Sequence, residues 1–150
     1  MRFSIFFFIQ LSCLLIVWSC TNSKQIVNDQ KSWSIELIKG GCLDVCGSYS
    51  ILIHSNGEYK YRGRYNVKHL GEKVGKLKTS DKDQLISQIE AIRWDDLEQS
   101  YGNQANDSQR KELNYLSKTI NKKIVYYRLE TQKMRALEQF IDQIINHDEF

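Results

Sequence analysis

From Trp33 onward hydrophobic and polar residues alternate: Trp33, Ile35 and Leu37 are separated by Ser34 and Glu36, the period of two expected of a strand with one buried face. Gly40 and Gly41 interrupt the pattern. Tyr49, Ile51 and Ile53 make a second alternating run and Tyr59 and Tyr61 a third, with Asn56-Gly57 between them, a strong hairpin signal. Residues directly opposed in a hairpin share a face, so the apolar sets of the two strands must coincide. A two-residue loop at Asn56-Gly57 opposes Ile53 to Lys60 and mixes the faces. A three-residue loop, Ser55 to Gly57 with Gly57 left-handed, opposes Ile53 to Tyr59 and Ile51 to Tyr61, and is the register expected.

The period then lengthens. Leu85, Ile86, Ile89 and Ile92 fall on one helical stripe, and Ser80 with Asp83 resembles a capping box, so the spacing predicts a helix over 81–93. Trp94, Leu97 and Tyr101 continue an apolar pattern that folds the chain back onto the sheet. Gly102 to Arg110 is polar and reads as a loop. A second hairpin is expected from about Tyr115 to Leu129, turning at Asn121-Lys122-Lys123, because Ile120, Ile124, Val125, Tyr126 and Tyr127 are β-branched or aromatic. Thr131 opens a last helix with Met134, Leu137, Ile141, Ile144 and Ile145 on one stripe. The order strand, hairpin, helix, hairpin, helix predicts an α+β domain over residues 33–150. Its antiparallel sheet has about five strands, with the helices on one face.

The first part of the chain has another character. Arg2 precedes an almost wholly apolar run from Phe3 to Trp18, broken only by Ser4, Gln10 and Ser12, the form of a signal peptide. As a helix such a run of sixteen residues rises about 24 Å, short of the roughly 30 Å hydrocarbon core. Val17-Trp18-Ser19-Cys20 resembles the lipobox of bacterial lipoproteins, with Trp18 larger than the usual occupant. The expectation is a signal peptide over 1–19, cleavage before Cys20 and lipid on that cysteine, making a membrane the first partner. Several acyl chains, each methylene contributing about 0.8 kcal/mol, hold far more firmly than one myristoyl group. Residues 20–32 then form the lipidated N-terminus and a polar tether, with a reach of roughly 40 Å when extended. No acidic run follows Cys20. The expected location is the cell envelope, on the periplasmic face of the outer membrane.

Composition adds little to this picture. With 41% hydrophobic and 26% charged residues the 150-residue chain is of ordinary globular type, and losing residues 1–19 leaves enough to bury roughly two-thirds of the unfolded surface. The formal net charge of +3 provides no field for steering nucleic acid, so no nucleic-acid partner is expected. Lys68, Lys73, Lys76 and Lys78 come nearest to a cluster and read as a solvated Lys-rich edge that discourages aggregation, with a polyanion or anionic lipid as the alternative.

Of four cysteines, Cys13 leaves with the signal and Cys20 carries the lipid, so Cys42 and Cys46 remain to pair. In an extended strand they would stand about 13 Å apart, whereas a disulfide needs Cα atoms within roughly 7 Å, so a bridge requires the segment to turn. Gly40, Gly41 and Gly47 permit that. The alternative is a thiol-redox or copper(I) site using Cys42 and Cys46, with His54, His69 or His147 as a third ligand. The run Cys42-Leu43-Asp44-Val45-Cys46 is similar to the Cys-Pro-Asp-Val-Cys of copper-delivering chaperones, although a hairpin rather than a helix follows it here. Asp95 and Asp96 read as a solvated helix end and Asp107 as a turn or capping residue. Phosphate loops, nucleophile elbows and paired-histidine motifs do not occur. No catalytic residue and no cofactor are therefore expected, and a binding or structural module is favoured over an enzyme.

Gly41-Cys42-Leu43-Asp44-Val45-Cys46-Gly47-Ser48-Tyr49-Ser50, followed by the apolar strand Ile51 to Ile53, Asn56-Gly57, Tyr61 and Gly63, resembles the opening of domain-of-unknown-function family 6438 of bacterial envelope proteins. Its members carry a C-x-x-x-C-P-x-Y-S run, an apolar strand, an Asp-Gly or similar turn, and Tyr-x-Gly. The likeness covers roughly residues 33 to 146. Gly47 stands where the family usually has proline and Asp44 where glycine is common. The resemblance implies a small α+β domain on exported, often lipid-anchored proteins, and it implies no activity.

Overall fold

Alternation from Trp33 produces the first strand, β1 (Trp33–Lys39), whose buried positions are Ile35, Leu37 and Lys39. β2 (Ser48–His54) and β3 (Glu58–Tyr65) form the hairpin in the expected register, with Ile53 opposite Tyr59 and Ile51 opposite Tyr61. Gly57 ends the three-residue turn with φ 86°, a conformation that glycine reaches without a Cβ penalty. Its N–H donates to the His54 carbonyl at 2.8 Å, and the Asn56 side chain accepts the Glu58 N–H at 2.9 Å. This computed structural model describes residues 32–42, 45–103, 108–128 and 131–147. The expected signal peptide, Cys20 and the tether as far as residue 31 lie outside the described residues, as do Asp44 and Asp107.

Among the described residues the sheet has seven strands rather than five, in the order β4-β3-β2-β1-β6-β7-β5. β4 (Gly71–Lys76) was not foreseen because Val74 is its only aliphatic branched residue and is 76% exposed; pairing with β3 holds it, not burial. β6 (Lys111–Ser117) and β7 (Asn121–Tyr126) form the second hairpin, which turns at 118–120 rather than at Asn121-Lys122-Lys123. Ser117 sets that turn: its N–H donates to the Ile120 carbonyl at 2.7 Å and its Oγ accepts the Ile120 N–H at 3.1 Å. β5 (Ser100–Tyr101) is two residues long and pairs with β7 in parallel; every other pairing is antiparallel.

Helix α1 (Thr79–Glu90) lies earlier than the expected 81–93. Its N-cap is Lys78, which makes no side-chain capping bond, and Ser80 donates to Asp81 at 3.3 Å instead of capping the helix. A single 3-10 turn (Trp94–Asp96) follows, with Trp94 stacked on Tyr115 at 4.3 Å between ring centroids and its indole N–H donating to the Ile89 carbonyl at 3.1 Å. Helix α2 (Gln132–Asn146) is capped by Thr131, whose hydroxyl accepts the Met134 N–H at 3.3 Å. Both helices bury their stripes against the same sheet face: Leu85, Ile89, Met134, Leu137 and Ile141 join Ile35, Leu37, Ile51, Ile53, Tyr61 and Ile124 in one core. No described element covers the other face. The architecture is α+β, with helices on one side of a mostly antiparallel sheet. Among the described residues no helix is long and apolar enough to cross a membrane.

Candidate functional site

The segment between β1 and β2 does turn, and the structure joins Cys42 to Cys46 with Cα atoms 5.6 Å apart. The Cys46 N–H points back at the Cys42 sulfur, 3.3 Å away. Val45 is 77% exposed, the most exposed large apolar side chain of the described residues. Below the bridge the loop is fastened on both sides. Gln109 donates from one amide nitrogen to the Gly40 carbonyl at 2.8 Å and the Gly47 carbonyl at 2.7 Å, pinching its two ends together. The Gly40 N–H donates to the Arg110 carbonyl at 2.8 Å, and the Ser48 hydroxyl to the Lys39 carbonyl at 3.1 Å. Gly41 packs under the Tyr65 hydroxyl, where a Cβ would lie only 1.4 Å from the oxygen.

Beneath this loop lies a charged cluster that hydrophobicity did not reveal. Lys39 and Tyr49 oppose each other on β1 and β2, the last pair before the loop, and both bond Asp142 of α2. The Lys39 ammonium is 2.6 Å from Asp142 Oδ2 and 2.7 Å from Glu138 Oε1; the Tyr49 hydroxyl donates to Asp142 Oδ1. Lys111 of β6 reaches Glu138 Oε1 at 2.6 Å, and the Tyr126 hydroxyl donates to Glu138 Oε2 at 3.1 Å. Two ammonium groups and two carboxylates balance, and each buried charge has a hydrogen-bonded partner, the condition for tolerating charge in an interior. The positions could be read as inward-facing: Lys39 continues the alternation of Ile35 and Leu37, and Glu138 falls on the α2 stripe between Met134 and Ile141.

Burial pushes the Glu138 carboxyl up, but the hydrogen bonds from Lys111 and Lys39 outweigh it and hold the group below the usual carboxylate range. Burial, with the Asp142 charge second, pushes the Tyr49 hydroxyl far above the usual phenol range; burial and Glu138 do the same to Tyr126. A raised folded-state pKa means that the unfolded chain releases the proton first, so this contribution to stability is full below about pH 10 and is lost above it. An alkaline titration followed by tyrosinate absorbance is expected to rise in two stages, the second coinciding with loss of far-ultraviolet circular dichroism. Smooth ionisation of all eight tyrosines in a protein that stays folded would contradict this burial.

Tyr61 and Gly63 explain one another. The Tyr61 hydroxyl donates to the His69 carbonyl at 2.9 Å, and that carbonyl lies 2.0 Å from where a Cβ on Gly63 would stand. The connection from β3 to β4 therefore folds across the sheet on a surface that only glycine provides. It also carries the Asn66 carbonyl to 2.8 Å from a Cβ position on Gly47, beside the bridged loop. The bridged Cys42 and Cys46, the hairpin and the Tyr-x-Gly pair stand within one stretch, residues 33–145, that matches the model of the family described as Domain of unknown function (DUF6438). The chain belongs to this family. No curated protein matches it. In this DUF6438 member these residues build one substructure: the loop, the tyrosines under it and the glycine-floored connection beside it.

The histidines considered as third ligands are not assembled with the cysteines. His54 ends β2 whereas Cys46 precedes its start, a separation of about 20 Å along seven residues of strand. His69 lies in the β3–β4 connection, its ring nitrogen 3.0 Å from Lys73 Nζ, and His147 follows α2. Among the described residues no three His, Cys, Asp or Glu side chains are grouped to hold a metal ion. Asp95 and Asp96 sit in the 3-10 turn, with Asp96 2.8 Å from Arg93. Gln109 and Tyr65, which position the DUF6438 loop, were not singled out by sequence; neither lies in a local pattern that marks it.

Proposed function

We propose that this protein is an envelope lipoprotein, anchored through lipid on Cys20, whose domain is a non-enzymatic binding module contacting another envelope protein through the Cys42–Cys46 loop. The observation that supports this reading is how the loop is built. A covalent bridge, the Gln109 clamp and the ionic cluster below it hold an exposed apolar Val45 on a fixed base. Val45, held next to the bridged Cys46, loses less conformational entropy when a partner closes on it than it would in an open chain, which favours recognition. Ser32 precedes β1 and the loop follows it, so the point where the tether joins and the loop lie at opposite ends of a strand about 20 Å long.

The test is a photo-reactive amino acid in place of Val45, in the full chain in living cells. A discrete protein adduct is expected, absent when the probe replaces Leu116, and lost in Cys42→Ser/Cys46→Ser. Undiminished envelope integrity in a deletion strain, together with no loop-dependent adduct, overturns the reading. Opening the bridge is also expected to lower domain stability by about 2 kcal/mol, the chain-entropy value for so short a loop, seen as a lower urea midpoint at unchanged slope.

One observation favours the rival, a thiol-redox or copper(I) site at Cys42 and Cys46: both residues are only half-buried, so a reductant can reach the bridge. Paired sulfurs are not thiolates, so metal binding would have to follow two-electron reduction. Intact mass after alkylation, with and without reduction, separates the readings. Labelling without reduction, or stoichiometric copper(I) binding abolished by Cys42→Ser, would promote the rival.

A further inference from the structure

Among the described residues β4 is the terminal strand of the sheet, with β3 as its only neighbour, so its outer edge presents main-chain donors and acceptors along six residues. We propose that this edge pairs antiparallel with the β4 edge of a second copy, about a two-fold axis through Val74, joining two sheets into one. The sequence of the strand selects this register. Opposed residues must share a face, so a two-fold axis passes through a residue rather than between two. Centred on Val74, the exposed face opposes Val74 to Val74 and, on either side, Glu72 to Lys76 of the other copy. All three residues of that face are thereby matched: one apolar pair at the axis and two ion pairs flanking it. On the helix-bearing face Lys73 comes opposite Gly75 of the second copy, where the Tyr59 side chain lies over the glycine with its hydroxyl 2.6 Å from a Cβ position, and the two Lys73 residues lie diagonally rather than opposite.

Neighbouring registers are worse. Centring on Lys73 sets like charges directly opposite, which is unfavourable. Centring on Gly75 opposes Val74 to Lys76 and loses the apolar pair. The side chains are available for the exchange: Val74 is 76% exposed, Lys76 has no ion pair among the described residues, and the Glu72–Arg62 pair is long, at 3.8 Å, and solvated. The lysines at 73 and 76, read alone as deterrents to edge pairing, act here as selectors that admit one register and a partner carrying Glu72.

The full chain, expressed with two different tags in one bacterial host, supplies the test. A photo-reactive amino acid replacing Val74 is expected to link one tagged copy to the other, with the joined peptides both spanning residues 71–76. Sedimentation in detergent micelles of chains without the probe should show Glu72→Lys alone and Lys76→Glu alone each weakening self-association about tenfold. The double variant, and an equal mixture of the two single variants, should restore it, because in both cases every 72–76 pair is again opposite in charge. Homogeneous monomer, a link from position 74 to a different protein in place of the second copy, or failure of the mixture to recover association overturns the proposal. These outcomes are independent of the Val45 adduct and so of the loop-binding reading.

Discussion

Glu138→Leu is expected to lower folding stability by about 3 to 5 kcal/mol, measured as the urea midpoint near neutral pH. Glu138 is 7% exposed and takes hydrogen bonds from Lys39, Lys111 and Tyr126. Leucine fits the stripe but takes a carboxylate from two ammonium groups: Lys39 keeps Asp142, whereas Lys111 is left without an ion-pair partner among the described residues. Lys39→Met alone should cost less, because Glu138 keeps Lys111. The triple variant Lys39→Met/Lys111→Met/Glu138→Leu should recover most of the loss, since replacing a buried ionic group entirely is far cheaper than breaking it. Equal losses in the single and triple variants would mean that packing shape, not charge, governs the site. The pH dependence has a definite sign. Glu138 is held below its unfolded pKa, so its stabilisation is present above the ordinary carboxylate range and is lost as pH falls through the folded value. The advantage of the native cluster over the triple variant should therefore hold from neutral pH down to about 4.5 and shrink as pH falls below it.

That cluster also marks where reading the sequence stops. Faces are read from hydrophobicity, and the rule worked wherever apolar residues carried the period. The three-residue hairpin loop follows from requiring Ile51 and Ile53 to share a face with Tyr61 and Tyr59, and α2 from its stripe and the Thr131 cap. Lys39 and Glu138 sit on those same faces, but a charged residue is ordinarily assigned to solvent, and the partner that makes its burial tolerable lies far away in the chain: Lys39 and Asp142 are 103 positions apart. β4 failed for the opposite reason. Gly71 to Lys76 carries no apolar period because neither face is buried, and only pairing to β3 defines it as a strand. The displaced turn of the second hairpin shows the same limit. Asn121-Lys122-Lys123 has turn composition, yet Lys122 lies in β7 with its ammonium donating to the Leu97 carbonyl, while Ser117 closes the turn three residues earlier. Of the loop, cysteine count and the flanking glycines allowed a bridge without deciding between it and a thiol or copper(I) site, and the Gln109 clamp left no mark in the sequence.

Gly63→Ala is expected to cost about 3 kcal/mol, the upper range for forcing a single carbon into a filled space, because the nearest obstacle is main chain. An added Cβ would stand 2.0 Å from the His69 carbonyl, 2.7 Å from the Tyr61 hydroxyl and 2.9 Å from a Val67 methyl. The Val67 methyl can swing aside, but the Tyr61 hydroxyl, on a fully buried ring, and the His69 carbonyl it bonds hold each other in place, so the whole 66–70 connection has to lift. Gly71→Ala is the control. Gly71 has φ 86° and nothing within 4 Å of a Cβ, so alanine there meets backbone strain without collision and should cost about 1 kcal/mol. The two variants therefore separate steric floor from backbone freedom. Lifting the connection also withdraws the Asn66 and Val67 contacts from Gly47, so Gly63→Ala should speed amide exchange in both 66–70 and the Cys42–Cys46 loop, whereas Gly71→Ala should affect only the connection. If the two substitutions cost the same and leave exchange in the loop unchanged, the Tyr-x-Gly pair serves its own turn alone and the connection does not brace the loop.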